Sequence, residues 1–507
     1  MSARYYDVVV LGADLAPLTC AALLAKRGFR VLVLGQGEPA PSYALGPFQL
    51  PQRSFQEAFG HTPVSQRVIT ELGLGPTLRR PARSDDPAFQ IAVPGHRFDV
   101  ALDQAELSRC FEREFPEVRR PIEDFHERVE HVMKSLDALF SGDLVLPPES
   151  FMERQRFARA RRALGSARLP SDEHVVDVLA EFSEGHRFRS VATLPVRFES
   201  GIDPAQYSAL RLLRLYGNCR RGSNTPAGGT PAFRELLMQK IHAHSGQLRL
   251  DERAAEITVQ RGEATGLALM HSGDEIACGF VVVGMDVAAL PRWLPDRSQL
   301  EGLFERVGEP MARHFRYTLN VVLRTAGMPA GLGRNLYFVS DRPGSHELHV
   351  CSQTLDAQHS LISAQALLSA RRVEDDPNFM PGVRAECLEA LHELLPFLEQ
   401  HLVLVDSPHD GKAPEGEYTK LNPAQLLQRG PNTMPTVYSY PVVSNMGLCA
   451  LPIRTPIKRL LLCNAQIVPG LGSEGQLMAA CSTARVITWA DRGRSWMRRR
   501  LWAKVEM

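Results

Sequence analysis

A chain of 507 residues, 44% of them hydrophobic, has the length for two or three domains and the composition for a large core. Its 58 Lys and Arg against 57 Asp and Glu leave a formal charge of +1, which argues against recognition of nucleic acid through a broadly basic surface. The nine cysteines are scattered and form no C-x-x-C pair, so neither a disulfide framework nor a zinc or other metal site is expected. Met1 to Asp7 holds no secretory leader, and no window reaches the roughly 18 uncharged apolar residues of a spanning helix. The expected location is the cytoplasm, with any membrane contact peripheral.

Asp7 to Glu38 predicts a strand, a tight turn, a helix and a second strand. Asp7 to Leu11 is an apolar run of the kind buried on both faces of a parallel sheet, Leu18 to Ala25 is helical, Gly28 stops the helix, and Arg30 to Leu34 is the second strand. This is the order of a βαβ unit that binds a dinucleotide at its first turn. Gly12, Asp14 and Pro17 stand where the fingerprint has three glycines. Proline suits the first helical turn, whose amides have no intrahelical partner. Asp14 stands at the helix N-cap, where its carboxylate competes for the amides and dipole that otherwise hold a phosphate. After the second strand, Gly35 replaces the acidic residue expected for the ribose, followed by Gln36 and, slightly late, Glu38. Taken alone, the unit is open to two readings, a dinucleotide site or a βαβ unit with no nucleotide.

Pro39 to Pro51 reads as an irregular loop, Ser65 to Leu74 as a helix, and Phe89 to Val100 as a hairpin around Pro94-Gly95. The Glu112 to Phe140 region reads as mostly helical. Phe151 to Arg168 sets Arg154, Arg156, Arg159, Arg161, Arg162 and Arg168 among Phe151, Met152, Phe157 and Leu164, either a solvated helix face or a basic amphipathic helix for an anionic membrane. Near Pro226-Ala-Gly-Gly-Thr230-Pro231 a helix begins that Ser245-Gly246 ends, and short strands follow up to Phe280–Val283 and Gly284. Ala289 to Tyr440 mixes strands and helices. Leu460 to Cys463 is a buried strand leading through Pro469-Gly-Leu-Gly-Ser-Glu-Gly475 to a helix over Gln476 to Ala490. The tail, 492–507, gathers Arg492, Arg494, Arg498, Arg499, Arg500 and Lys504 around Trp496 and Trp502, a composition suited to a membrane interface.

Three stretches in this order, Pro226-Ala-Gly-Gly-Thr-Pro-Ala-Phe, Gly262-Glu-Ala-Thr-Gly-Leu-Ala-Leu running on to Phe280-Val-Val-Val-Gly-Met-Asp, and Arg454-Thr-Pro-Ile-Lys-Arg-Leu-Leu-Leu-Cys-Asn-Ala before the Pro469 loop, carry a resemblance. The chain resembles the flavin oxidoreductases related to phytoene desaturase, protoporphyrinogen oxidase and the amine oxidases, and within them the phytoene-desaturase-like branch. The resemblance implies an α/β fold, with a Rossmann-like FAD/NAD(P)-binding domain assembled from 1–75, 220–290 and 441–491. A discontinuous α+β substrate domain would take 76–219 and 291–440.

It further implies FAD held by Gly12, Ala13, Asp14, Leu15 and Ala16 at the first turn, Gly35 and Gln36 after the second strand, Ala254 at the adenine, Gly284, and Asn464, Pro469, Gly470, Gly472 and Gly475 in the terminal loop. Asp14, Pro17 and Gly35 predict that the protein is flavin-poor, and Glu474 adds a carboxylate near a helix start. The implied activity is oxidation of a long apolar, polyprenoid or carotenoid-like substrate in an elongated apolar cavity. The alternative is a flavin-free carrier or chaperone for a lipid or lipidated partner, on the logic of the Rab GDP-dissociation inhibitors. The expected partners are an apolar small molecule or lipid, and a membrane surface met through 151–168 and 492–507. No residue is assigned as a catalyst, because in flavin desaturation the cofactor carries the hydride chemistry.

Overall fold

The computed structural model describes residues 4–502 except 39, 54–59, 80–86, 165–168, 171–173, 223–228 and 421–432, and leaves aside the side chains of 176, 230 and 492–502. The glycine stretch at 223–228 and the ends of both basic segments therefore lie outside the described residues.

The α/β reading holds, with two large sheets. The first runs in the order Gln247–Arg249, Val31–Leu34, Arg4–Leu11, Glu275–Val283, Glu263–Leu269, Ala254–Gln260. Its middle is parallel, and Glu275–Val283 changes partners along its length. Its first half pairs antiparallel with Glu263–Leu269, while Val281 to Val283 pair parallel with Leu460–Leu462. Val8 to Leu11 and Val31 to Leu34 are fully buried, as a strand covered on both faces requires. The helix Leu15–Lys26 begins three residues before the run Leu18 to Ala25, directly after Asp14, which caps it as the sequence placed it. Leu15 to Ala25 are all buried, because the helix packs between Gly229–Ala243 and the terminal helix Gly472–Trp502. The terminal helix is also longer than predicted, starting at Gly472 and continuing past Ala490.

The second sheet centres on Met311–Arg324, flanked by His359–Ser369 and Leu402–Asp406, and extends through Leu348–Thr354 and Asn335–Phe338 to the hairpin Phe89–Val93 and His96–Val100. The helix Phe379–Leu394 covers one face. Where an irregular loop was expected after Pro39, there is a second hairpin, Ser42–Leu45 with Phe48–Pro51. Tyr43, Leu45, Phe48 and Leu50 pack it onto Val322, Leu361 and Leu404, and the Tyr43 hydroxyl donates to Asp406 at 2.6 Å.

The helices Gln104–Glu114, Arg119–Ser141, Arg187–Glu199 and Ala209–Arg220 pack on one another as a further layer. Phe111, Phe115, Phe125, Phe188 and Tyr216 fill this layer with edge and tilted ring contacts, among them Phe125 and Tyr216 at 5.2 Å. His126 sits among them, neutral because burial pushes it down to about 3, with Nδ1 2.9 Å from the Ile122 carbonyl and Nε2 3.1 Å from the Tyr216 hydroxyl.

Candidate dinucleotide groove

Strands Arg4–Leu11, Val31–Leu34, Glu275–Val283 and Leu460–Leu462 end on one edge of the first sheet, the side where open α/β sheets hold ligands. Their ends are tied together by backbone bonds, Gly12 N–H to Leu34 O at 2.8 Å, Gly284 N–H to Leu11 O at 2.7 Å and Cys463 N–H to Val283 O at 2.8 Å. Gly12 has φ +99°, and a Cβ there would lie 3.0 Å from Met285 Sδ, so the turn requires glycine. Asn464 secures the same edge by donating to the Met285 carbonyl at 2.6 Å.

The loop amides already have acceptors. Asp14 Oδ1 accepts from Leu15 N–H at 2.9 Å, and Glu38 Oε2 reaches back to accept from Ala13 N–H at 2.8 Å. Arg53 donates to Asp14 Oδ2 at 3.2 Å, and Arg234 lies 3.6 Å from Asp14 Oδ1 while also bonding the Ala13 carbonyl. Burial disfavours the Asp14 charge, but the two arginines more than offset it and hold its carboxyl below the ordinary value. Burial and the Asp14 charge instead raise Glu38. Two carboxylates and two arginines thus form a closed network over the turn.

The remaining predicted positions are mostly consumed by packing. A Cβ on Gly35 would fall 1.9 Å from the Leu250 carbonyl oxygen, so no acidic residue can stand there. Gln36 takes φ +56° and donates its backbone N–H to Glu252 O. Ala254 is fully buried, Leu15 and Ala16 nearly so, and Gly284 lies against the Pro17 ring. In the terminal loop, a Cβ on Gly475 would meet Val468 O at 2.0 Å and one on Gly472 would meet Glu199 O at 2.6 Å. Glu474 does not oppose an anion at the helix start as expected, because Arg214 takes both its oxygens at 2.6 and 2.9 Å and Asn218 donates at 3.0 Å.

Gly470 crosses the stem of Arg211, whose Cδ would lie 2.8 Å from an added Cβ. Arg211 is 3% exposed, its Nε and Nη1 have no partner among the described residues, and burial pushes its pKa down to about 10. It therefore stays charged at neutral pH at a cost to stability. Arg211→Met should stabilise the fold by about 1–3 kcal/mol, read as a raised urea midpoint, with the advantage shrinking as the pH rises past 10 and the wild type sheds its proton.

Asp14, Pro469 and Gly472 meet at a cavity of about 160 Å³ between the two sheets. Arg53, Glu199, Arg316, His349, Gln365, Thr436 and Ser473 complete much of its wall beside Phe198, Pro435 and Ala465, so the lining mixes polar and apolar groups. Arg316 donates to the carbonyls of Phe198 at 2.5 Å and Ser200 at 2.7 Å and to Gln365 at 3.0 Å. His349 stacks on Tyr337 at 4.6 Å, bonds Asn335 Oδ1 at 2.5 Å and is pushed down to about 3 by burial, which keeps it neutral and a poor base.

The sequence profile of the flavin containing amine oxidoreductases matches residues 54–488, well over half of the chain. The chain belongs to that family. No curated protein matches it by sequence. Among solved structures, an oxidoreductase from Methanosarcina mazei superposes with a TM-score of 0.60 at 15% identity, covering 94% of this chain and all of that one. A putrescine oxidase triple mutant gives 0.57 at 14% identity, covering 96% and 99%. Cyclohexylamine oxidase from Brevibacterium oxydans gives 0.53 at 16% identity, with the same coverage.

The family implies a flavin dinucleotide, and as folded here the groove offers it amides that are already satisfied. Its pyrophosphate would replace carboxylates on Ala13 N–H and Leu15 N–H, its ribose would find Leu250 where an acid should project, and the cavity beyond is smaller than the roughly 300 Å³ at which ligand pockets begin. Arg53 and Arg234 were not foreseen from sequence. Neither sits in a motif, and each reaches Asp14 only through the fold.

Proposed function

We propose that the chain is an oxidoreductase of the flavin amine oxidase family that takes up its dinucleotide only when the network of Asp14, Glu38, Arg53 and Arg234 opens. The single observation behind this is that the family match runs over residues 54–488, with strands of both sheets inside it, while the amides of the first turn, which precedes the match, are satisfied internally. The long polyprenoid substrate implied by the phytoene-desaturase resemblance is not favoured by a cavity of about 160 Å³. A small substrate, of the size range of the putrescine and cyclohexylamine in the relatives' names, suits that volume and its mixed polar and apolar wall better. A second reading, a flavin-free binding protein on the same fold, draws on the same carboxylates.

A visible spectrum of the freshly purified protein, followed by titration with FAD, separates the two. The expected result is little flavin absorbance at purification and saturable quenching of added FAD at micromolar to millimolar concentration. Absence of uptake at any FAD concentration would leave the flavin-free reading.

A further inference from the structure

The helix Phe151–Ala163 has two unlike faces. Glu153, Phe157, Ala160 and Leu164, spaced i, i+4, i+7 and i+11, turn inward as buried or half-buried residues. Phe151, Gln155, Arg159 and Arg162, spaced i, i+4, i+8 and i+11, are exposed on the opposite side, with Met152, Arg154, Arg156 and Arg161 exposed beside them. The helix has one acidic residue, and it is used inward. Glu153 caps Ser150 N–H at 2.8 Å and pairs with Arg454 at 2.6 Å.

No acidic side chain among the described residues offsets the five arginines. Among the described residues none of them forms an ion pair, unlike the exposed Arg119 with Glu112 and Glu123, Arg342 with Glu389 and Arg371 with Asp375. Arg156 lies over the ring of Trp489 at 4.7 Å, which ties this helix to the terminal helix. The backbone of the terminal helix continues from that contact to Trp502, through the stretch holding Arg492, Arg494, Arg498, Arg499 and Arg500. At the other end of the same face, Phe151 is 68% and Met152 58% exposed.

We propose that this face docks on an anionic lipid bilayer, the helix lying in the interface with Phe151 and Met152 entering the acyl boundary and the arginines at the headgroups. The charge complementarity decides the sign of the partner, since a local surplus of five cations sits on a chain of net charge +1. The exposed phenylalanine and methionine decide its kind. A bilayer rewards burial of apolar side chains beside basic ones, whereas a phosphate backbone offers Met152 nothing to bury against. No helix among the described residues is long and apolar enough to cross a membrane, so the contact is one of surface.

The test is flotation of the full chain with vesicles of phosphatidylcholine alone and of phosphatidylcholine with phosphatidylglycerol in equal parts. The protein should float with the anionic vesicles only, and added salt should release it. Each basic residue near such a surface contributes about fivefold, so Arg159→Gln with Arg162→Gln should lower partitioning roughly twenty-five-fold. Phe151→Ser with Met152→Ser should weaken it as well. All four positions are exposed, and unchanged thermal unfolding of the variants verifies the fold. Equal flotation on neutral vesicles, or arginine variants that bind like wild type, would overturn the proposal. So would tight binding of a short oligonucleotide that the Phe151 and Met152 changes leave untouched, which would assign the face to nucleic acid.

Discussion

Asp14→Gly combined with Glu38→Gln should raise affinity for FAD by about two orders of magnitude or more, measured by quenching of flavin fluorescence on titration. A carboxylate roughly 5 Å from a phosphate charge repels it by about 3 kcal/mol at an effective dielectric of about 20, and each such carboxylate also holds an amide the phosphate needs. Arg53 and Arg234 screen Asp14 in the present fold, which trims that figure. Once Asp14 is gone the same arginines face the groove unpaired, ready to meet a phosphate. The N-cap loss is small, since glycine replaces aspartate there at a few tenths of a kcal/mol.

Glu38 adds a pH signature. Its carboxyl is raised above the ordinary 4.5, while Asp14 is held below 3.8, so on acidification Glu38 takes up a proton first and one of the two opposing charges disappears. Wild-type affinity for FAD should therefore rise as the pH falls toward and through the raised Glu38 value, and Glu38→Gln should flatten that rise. An unchanged affinity in the double variant would mean that the turn is not where the dinucleotide is refused. Restoring the ribose acid is not a route to the same end. Gly35→Glu would drive a side chain into the Leu250 carbonyl and should destabilise the fold instead of recruiting flavin.

The largest effect on stability should come from Arg214→Leu, about 3–5 kcal/mol of destabilisation in urea unfolding. Arg214 is fully buried and answers both Glu474, 1% exposed in its side chain, and Asp137 at 2.7 Å. Removing it strands the Glu474 carboxylate in the interior, where an uncompensated charge costs far more than the pair contributes. Arg214→Leu together with Glu474→Leu should recover most of the loss, because the second change removes the orphaned charge. A single substitution that moved the stability by less than about 0.5 kcal/mol, the usual scale of surface changes, would contradict the assignment of this pair as buried.

Much of the architecture was legible in the sequence because it rests on short-range periodicity. The apolar runs at Val8–Leu11, Val31–Leu34 and Leu460–Leu462, punctuated by Gly12, Gly28 and the Pro469 loop, specify buried parallel strands and their turns whatever surrounds them. The arginine content of Phe151–Ala163 and the capping role of Asp14 were likewise local, since a helix start and a charged face are set by neighbours within a few residues. The state of the groove was decided by residues distant in sequence. Arg53 and Arg234 reach Asp14 from 39 and 220 positions away, the first carried by a hairpin that sequence read as loop, the second by the helix Gly229–Ala243 packed beside the first helix. The Leu250 carbonyl over Gly35 and the Arg214 sequestration of Glu474 arise in the same way. Hydrophobic patterning records which face of an element is buried, but an ion pair or a backbone approach depends on which elements the tertiary structure brings together, and no period in the chain encodes that distance.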